Sequence, residues 1–216
     1  MVHGTGDFGQ GERAIMAWEA CGKPIDEAAL RQIFLDARSY NGWLDTPVSD
    51  DCLRQIVDLM KMGPTSANCQ PIRIKFLKSQ AAKERLKPHL MEGNVHKAMS
   101  APVVALFAHD LEFHERLPRY FPHTDARSWF VGNTPLIEET AFRNGTLQAA
   151  YFIIAARALG LDTGPMSGFD QEGVNREFFA GTPWRVNFIC ALGYGDPESL
   201  FPRSPRPTFE ELAEIL

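Results

Sequence analysis

Apolar positions recur along this chain with two periods, close to four residues in some segments and two in others, which separates helices from strands. Ile25, Ala29, Ile33 and Ala37 follow the longer period from Pro24, a residue suited to a first helical turn, and predict an amphipathic helix ending near Arg38. Ser49 with Asp50 and Asp51 predicts a capped helix start, and Leu53, Ile56, Val57 and Met60 form its apolar face. Ile72, Ile74 and Phe76 alternate with Arg73 and Lys75, the signature of a half-buried strand, and AAKERL then reads as helical. The unbroken apolar run APVVALFAHD predicts a strand covered on both faces.

Thr134-Pro135 opens a long helical pattern through Ile137, Ala141, Leu147, Ala150, Tyr151, Ile154 and Ala158, with Gly160 placed to end it. Its QAAYFIIAARAL portion is apolar on nearly all sides, as expected of a central helix and of one that also meets a partner. VNFICALGYG predicts a further strand, and Thr208 with Glu211 a capping box for a short final helix. These mixed strands and helices, with one buried central helix, predict an α+β fold. Residues 24–216 read as one domain, and residues 1–23, Gly-rich and weakly patterned, as a poorly ordered N-terminal extension in which Met16 is an alternative start.

Composition narrows the function. With 22 Lys and Arg against 27 Asp and Glu, a formal charge of -5 and no basic run, nucleic acid and anionic membranes are poor partners. The longest apolar runs fall short of a membrane span, and no basic start leads into an apolar signal core. Cys21, Cys52, Cys69 and Cys190 are scattered without ligand spacing, which suits reduced thiols in a cytoplasmic protein with no metal site.

The common nucleophile, phosphate-loop, zinc and dinucleotide motifs are missing, so hard chemistry here points to a cofactor. A phosphate needs Arg, Lys, hydroxyl and backbone N–H donors, and Arg38, Ser39, Asn94, Lys97, Arg203 and Arg206 could supply them. A flat ring needs backbone and side-chain amides at its edge; Thr65, Ser66, Asn68 and Gln70 in GPTSANCQP, with Ser167 and Gly168 in GPMSGFD, are candidates. Each has a plainer reading. Loop-end cations are commonly solvated, a Pro-bounded Thr/Ser/Asn loop is commonly a turn, and GPMSGFD would connect a strand to a helix capped by Asp170.

Taken in order, Arg38-Ser39, GPTSANCQP, NVHK, GPMSGFD and PRSPRP resemble the FMN-dependent nitroreductase family over residues 30–216. NGW, TPVSD, LMKMGPTSAN, FPHTDARSWF, EETAFRN and RALGLDTGPMSGFD extend the likeness to its malonic semialdehyde reductase branch. The resemblance implies a mixed, mainly antiparallel sheet in an intertwined homodimer, with FMN at the interface and NADH or NADPH as co-substrate. It places Arg38, Asn94, Lys97, Arg203 and Arg206 at the phosphate and ribityl end, and Pro165, Ser167 and Gly168 beside the ring. Thr65, Ser66, Asn68 and Gln70 would come from the other subunit.

Two departures stand out. Many members carry a basic residue shortly after the first Arg, where this chain has Tyr40-Asn41-Gly42, and many have Glu where Ser167 stands. The implied reaction is hydride transfer through FMN, reducing malonic semialdehyde to 3-hydroxypropanoate in pyrimidine degradation. A broad nitroaromatic or quinone reductase and a flavin binder without turnover are the alternatives. On the long loop, Arg127 is the candidate clamp for a substrate carboxylate with His123 and Trp129 nearby, or else pairs with Asp125 or supports the dimer. Tyr40, His123 and water all remain open as proton donor.

Overall fold

A computed structural model describes residues 22–216. The N-terminal expectation, including Met16 as a start, lies almost wholly outside the described residues. Helix α1 (Glu27–Leu30) begins after Asp26, whose carboxylate accepts from the Ala29 N–H at 2.7 Å, rather than at Pro24. It runs straight into a π-helical turn, Arg31–Leu35, so the first helix is shorter and wider-wound than its apolar period suggests.

Helix α2 (Asp50–Met60) follows its Ser49 cap, and β1 (Ile72–Leu77), α3 (Gln80–Leu86) and α4 (Glu92–Ser100) come next. All eight residues of β2 (Val103–Asp110) are buried. After the short α5 (Leu117–Tyr120), the loop FPHTDARSWF closes on one 3-10 turn, Ala126–Trp129. Helix α6 (Thr134–Ala158) follows and ends before Gly160, whose φ of +81° is one that side chains disfavour. Then come β3 (Asp162–Met166), α7 (Gln171–Phe178), β4 (Trp184–Gly193) and α8 (Phe209–Leu212), the last with the expected Thr208–Glu211 capping box. Asp170 stands at the start of α7 but makes no side-chain cap.

The strands form one antiparallel sheet ordered β1-β2-β4-β3. Parallel pairing among the described residues is confined to an isolated bridge, Ser39 to Thr163. Because side chains alternate across a strand, β2 sends Val103, Ala105 and Phe107 to one face and Val104, Leu106 and Ala108 to the other. The first set packs with Leu53 and Ile56 of α2 and Phe152 of α6; the second with Leu86 of α3, Ala98 of α4 and Val174 of α7. Helices therefore cover both faces, which explains the unbroken apolar run. A third cluster of Cys69, Phe113, Leu117, Phe130 and Ala141 anchors the loops around residues 63–71 and 121–130. No described helix is long and apolar enough to cross a membrane.

Candidate functional site

The turn leaving the π-helix is tied to the β3 edge, where the Tyr40 N–H donates to the Thr163 carbonyl at 3.1 Å. Over this turn the C-terminal segment folds back. Arg38 Nη2 donates to the Phe201 carbonyl at 2.6 Å, and Arg203 Nη2 to those of Leu35 at 2.7 Å and Ala37 at 3.2 Å. The two segments enclose a cavity of about 280 Å³ lined by Arg38, Ser39, Arg203 and Arg206 together with Arg157 from the last turn of α6. No Asp or Glu is among its lining residues.

Four guanidiniums thus share a small space. Burial pushes the Arg203 pKa down, and Arg38 and Arg206 push it the same way, opposed by Asp36. Guanidiniums do not lose their protons in water, so the repulsion persists and the cavity favours an anion.

From this cavity the β3 edge leads to the other candidates. Lys97 on α4 is half-buried beside Gly164, where a Cβ would sit 3.2 Å from the Lys97 Cδ and 2.6 Å from the Tyr40 carbonyl oxygen. Burial lowers the Lys97 pKa, with the Cys190 thiol opposing, and its ammonium has no acidic partner among the described residues. Beyond it lie Pro165, Ser167 and Gly168. The Asn94 side chain donates to the Gly168 carbonyl at 2.9 Å, and a Cβ on Gly168 would meet the Asn94 Nδ2 at 2.7 Å. Among the described residues Asn94 thus lies beside the 165–168 segment, because α4 runs next to it. From Thr163 to Gly168 the edge spans roughly 16 Å, cationic at one end and amide-lined at the other. Tyr40 sits at the cationic end with its ring where a Cβ on Gly195 would fall.

Thr65, Ser66, Asn68 and Gln70 lie elsewhere in the same chain. Their loop enters β1, at the opposite edge of the sheet, about 14 Å away across three strand spacings. Ala67, Asn68 and Gln70 all have φ between 44° and 49°, and buried amides of α6 hold this strained backbone. The Asn144 oxygen accepts from the Ser66 N–H at 2.9 Å; Gln148 accepts from the Ile72 N–H at 3.0 Å and donates to Gln70. Gln70 in turn donates to Asn68 Oδ1 at 2.8 Å, and Asn68 to the Tyr120 carbonyl at 2.9 Å.

Through Tyr120 this loop joins residues 121–130. There Arg127 is held by Glu115 in a two-pronged pair, 2.8 Å at each contact, with Asp125 contributing only at longer range. Both members are partly exposed, and the guanidinium holds the Glu115 carboxyl below its ordinary range. His123 packs edge-on against Phe121, 5.3 Å between ring centres, and Trp129 lies half-exposed on the same ring.

Reading the sequence did not single out Arg157, Asn144, Gln148 or Glu115. Arg157 looked like any basic residue closing a helix, and the two α6 amides interrupt an apolar face without signalling what they bond. A larger cavity of about 660 Å³ lies between residues 43–48 and 100–102, but its cations are committed to the fold. Lys83 Nζ binds the carbonyls of Met99 and Ala101, and Lys78 binds Asp50. No cluster of metal-binding side chains occurs among the described residues.

The fold matches solved structures. A provisionally named nitroreductase of Bacillus subtilis superposes with a TM-score of 0.77 at 24% identity, covering 88% of this chain and 100% of that one. A provisionally named nitroreductase of Exiguobacterium sibiricum, solved in complex with FMN, gives 0.76 at 18% identity, covering 90% and 99%. In sequence, a Burkholderia lata protein provisionally named NADH dehydrogenase/NAD(P)H nitroreductase is 60% identical over 191 residues, 88% of this chain and 98% of that protein. The nitroreductase family model matches residues 35–194, most of the chain. On that match and this fold, the chain belongs to the nitroreductase family.

Proposed function

We propose that this chain is an NAD(P)H oxidoreductase that binds FMN along its β3 edge and reduces malonic semialdehyde to 3-hydroxypropanoate. The observation that carries the reading is the cavity of four arginines without a lining carboxylate, with Lys97 packed against Gly164 on the neighbouring β3 edge. The donor set fits FMN: guanidiniums and a hydroxyl suit the phosphate, and Gly164 and Gly168 let the Tyr40 carbonyl and the Asn94 amide pack tightly along this edge. The FMN complex of the Exiguobacterium relative and the NAD(P)H nitroreductase name of the Burkholderia relative support the same cofactors.

Arg38, Ser39, Arg203 and Arg206 would hold the phosphate. The chemistry FMN supplies when bound is hydride acceptance from NADH or NADPH and hydride delivery to an acceptor. Lys97 places a half-buried positive charge at Gly164, which favours the more negative reduced form of a ring lying there. Pro165, Ser167, Gly168 and Asn94 would border the ring. Because Thr65, Ser66, Asn68 and Gln70 sit at the far sheet edge, they reach such a ring only from a second copy of the chain, in a homodimer. Exposed Phe34, Leu59, Met62, Phe142 and Leu147 offer apolar surface for that contact.

The acceptor carries a carboxylate, and Arg127 is the proposed clamp. Its present partner, Glu115, is itself a carboxylate in the two-pronged geometry that a substrate could take over. A second reading keeps the site and exchanges the acceptor for nitroaromatics or quinones; the nitroreductase name of the Burkholderia relative is compatible with a nitroaromatic acceptor.

The test is a steady-state assay of FMN-reconstituted protein with 3-oxopropanoate, nitrofurazone and menadione. The expected result is the highest kcat/KM with 3-oxopropanoate. Higher efficiency with nitrofurazone or menadione would favour the second reading, and failure to oxidise NADH or NADPH with any acceptor would leave a flavin binder without turnover.

A further inference from the structure

After Arg38 the chain runs Ser39-Tyr40-Asn41-Gly42, so this segment brings a single cation to the cavity. Another cation comes from a distant part of the chain. Arg157 enters it from the last turn of α6, where the negative end of the helix dipole stabilises a cation. Its placement is fixed from both sides. Gln32 Nε2 caps the α6 end through the carbonyls of Arg157 at 2.7 Å and Ala158 at 3.3 Å, and Arg157 Nη1 donates to the Ile33 carbonyl at 3.2 Å.

That single bond leaves most of the guanidinium's donors unused. Nε is buried without a hydrogen-bond partner, and Nη2 has none among the described residues. Asp162, which acts on Arg157 electrostatically, already accepts the Gly195 N–H at 2.9 Å and does not line the cavity. A half-buried guanidinium facing three others, with spare donors and no lining carboxylate, is arranged for a multiply charged anion.

We propose that Arg157 binds the phosphate of FMN alongside Arg38 and Arg203, and so contributes to the preference for FMN over riboflavin. The inference rests on reading the cavity as the FMN phosphate site. A charge-assisted hydrogen bond of this kind corresponds to about 10- to 100-fold in affinity.

The test titrates apoprotein with FMN and with riboflavin, followed by flavin fluorescence, for the wild-type, Arg157→Gln and Arg157→Lys chains. Arg157→Gln should bind FMN about 10- to 100-fold more weakly while riboflavin affinity stays put, and Arg157→Lys should recover part of the loss. Inorganic phosphate should compete with FMN more weakly in Arg157→Gln than in wild type. Equal loss for both flavins would make Arg157 a structural strut through Ile33 and overturn the proposal, as would unchanged FMN affinity. Wild-type protein that binds riboflavin as tightly as FMN would instead overturn the phosphate-site reading beneath it.

Discussion

Gln148 and Gln70, 78 residues apart, are joined side chain to side chain, amide to amide, inside the packing of α6 against the loop before β1. Gln148 has no solvent exposure, and its oxygen also holds the Ile72 N–H, so one buried side chain fixes both the loop and the start of the edge strand. Gln148→Leu leaves that N–H and the Gln70 oxygen unpaired. It should lower unfolding free energy by about 1–3 kcal/mol, read from urea titration. Because Gln70 orients Asn68, flavin retention should fall as well; intact retention in a destabilised variant would separate the amide chain from the site.

Asn68 itself is exposed, and its bonds run only to Gln70 and the Tyr120 carbonyl. Asn68→Ala should weaken FMN binding without unfolding the chain, at a cost of about 1 kcal/mol in stability because Asn accepts a φ of 48° better than Ala does. Unaltered flavin affinity would return the loop to the role of a turn.

The Glu115–Arg127 pair gives a prediction of opposite sign. Water screens this surface pair, so removing the internal competitor should help a carboxylate substrate only modestly. Glu115→Gln is expected to lower KM for 3-oxopropanoate about two- to five-fold without changing KM for menadione. Arg127→Ala should raise the first and spare the second. If both acceptors respond alike, the pair merely braces its loop.

Asp110 is fully buried between Arg73, 2.7 Å away, and Arg116, and its other oxygen takes the Glu112 N–H at 2.9 Å. Arg73 also binds the Gln70 carbonyl at 3.1 Å, so the ion cluster closes the loop from its far end. Asp110→Asn leaves two cations facing a neutral amide and should cost about 3–5 kcal/mol of stability, measured by denaturant unfolding.

His109 supplies a pH dependence. Burial holds its pKa below the ordinary 6.5, Arg185 pushes it further down, and Asp110 opposes. Since the unfolded chain binds the proton more readily, this contribution is fully present above 6.5 and declines as pH falls from there through the folded-state value. The urea midpoint should therefore drop between neutral and mildly acidic pH, and His109→Gln should flatten that drop. A slope unchanged by the substitution would assign it to other groups.

Local patterns in the sequence carried much of the fold. The capped α2, the doubly buried β2, the span of α6 and the Thr208–Glu211 box each depend on neighbours a few residues away, and each can be read from spacing. The π-helical turn could not be, because its apolar period resembles that of an ordinary helix. In the candidate site, Arg38, Ser39, Arg203 and Arg206 were expected near a phosphate from residue type and resemblance, and the structure gathers them in one cavity. Arg157 escaped notice because what distinguishes it is a contact 124 residues back, to Ile33. The contact of Asn94 with Gly168 depends on how α4 packs along the sheet edge, and that of Glu115 with Arg127 on the folded loop, so neither is legible from spacing.

The separation of residues 63–71 from the β3 edge bears on how defects combine. If each site draws one edge from each of two chains, a chain lacking Asn68 and a chain lacking Arg38 are damaged in different halves. Mixed in equal amounts and refolded together, they would form hybrid pairs in which both lesions fall in one site and the other is whole, so roughly a quarter of all sites would regain activity. Two inactive preparations would then rescue each other in the test tube, something no pair of lesions confined to a single-chain pocket can do.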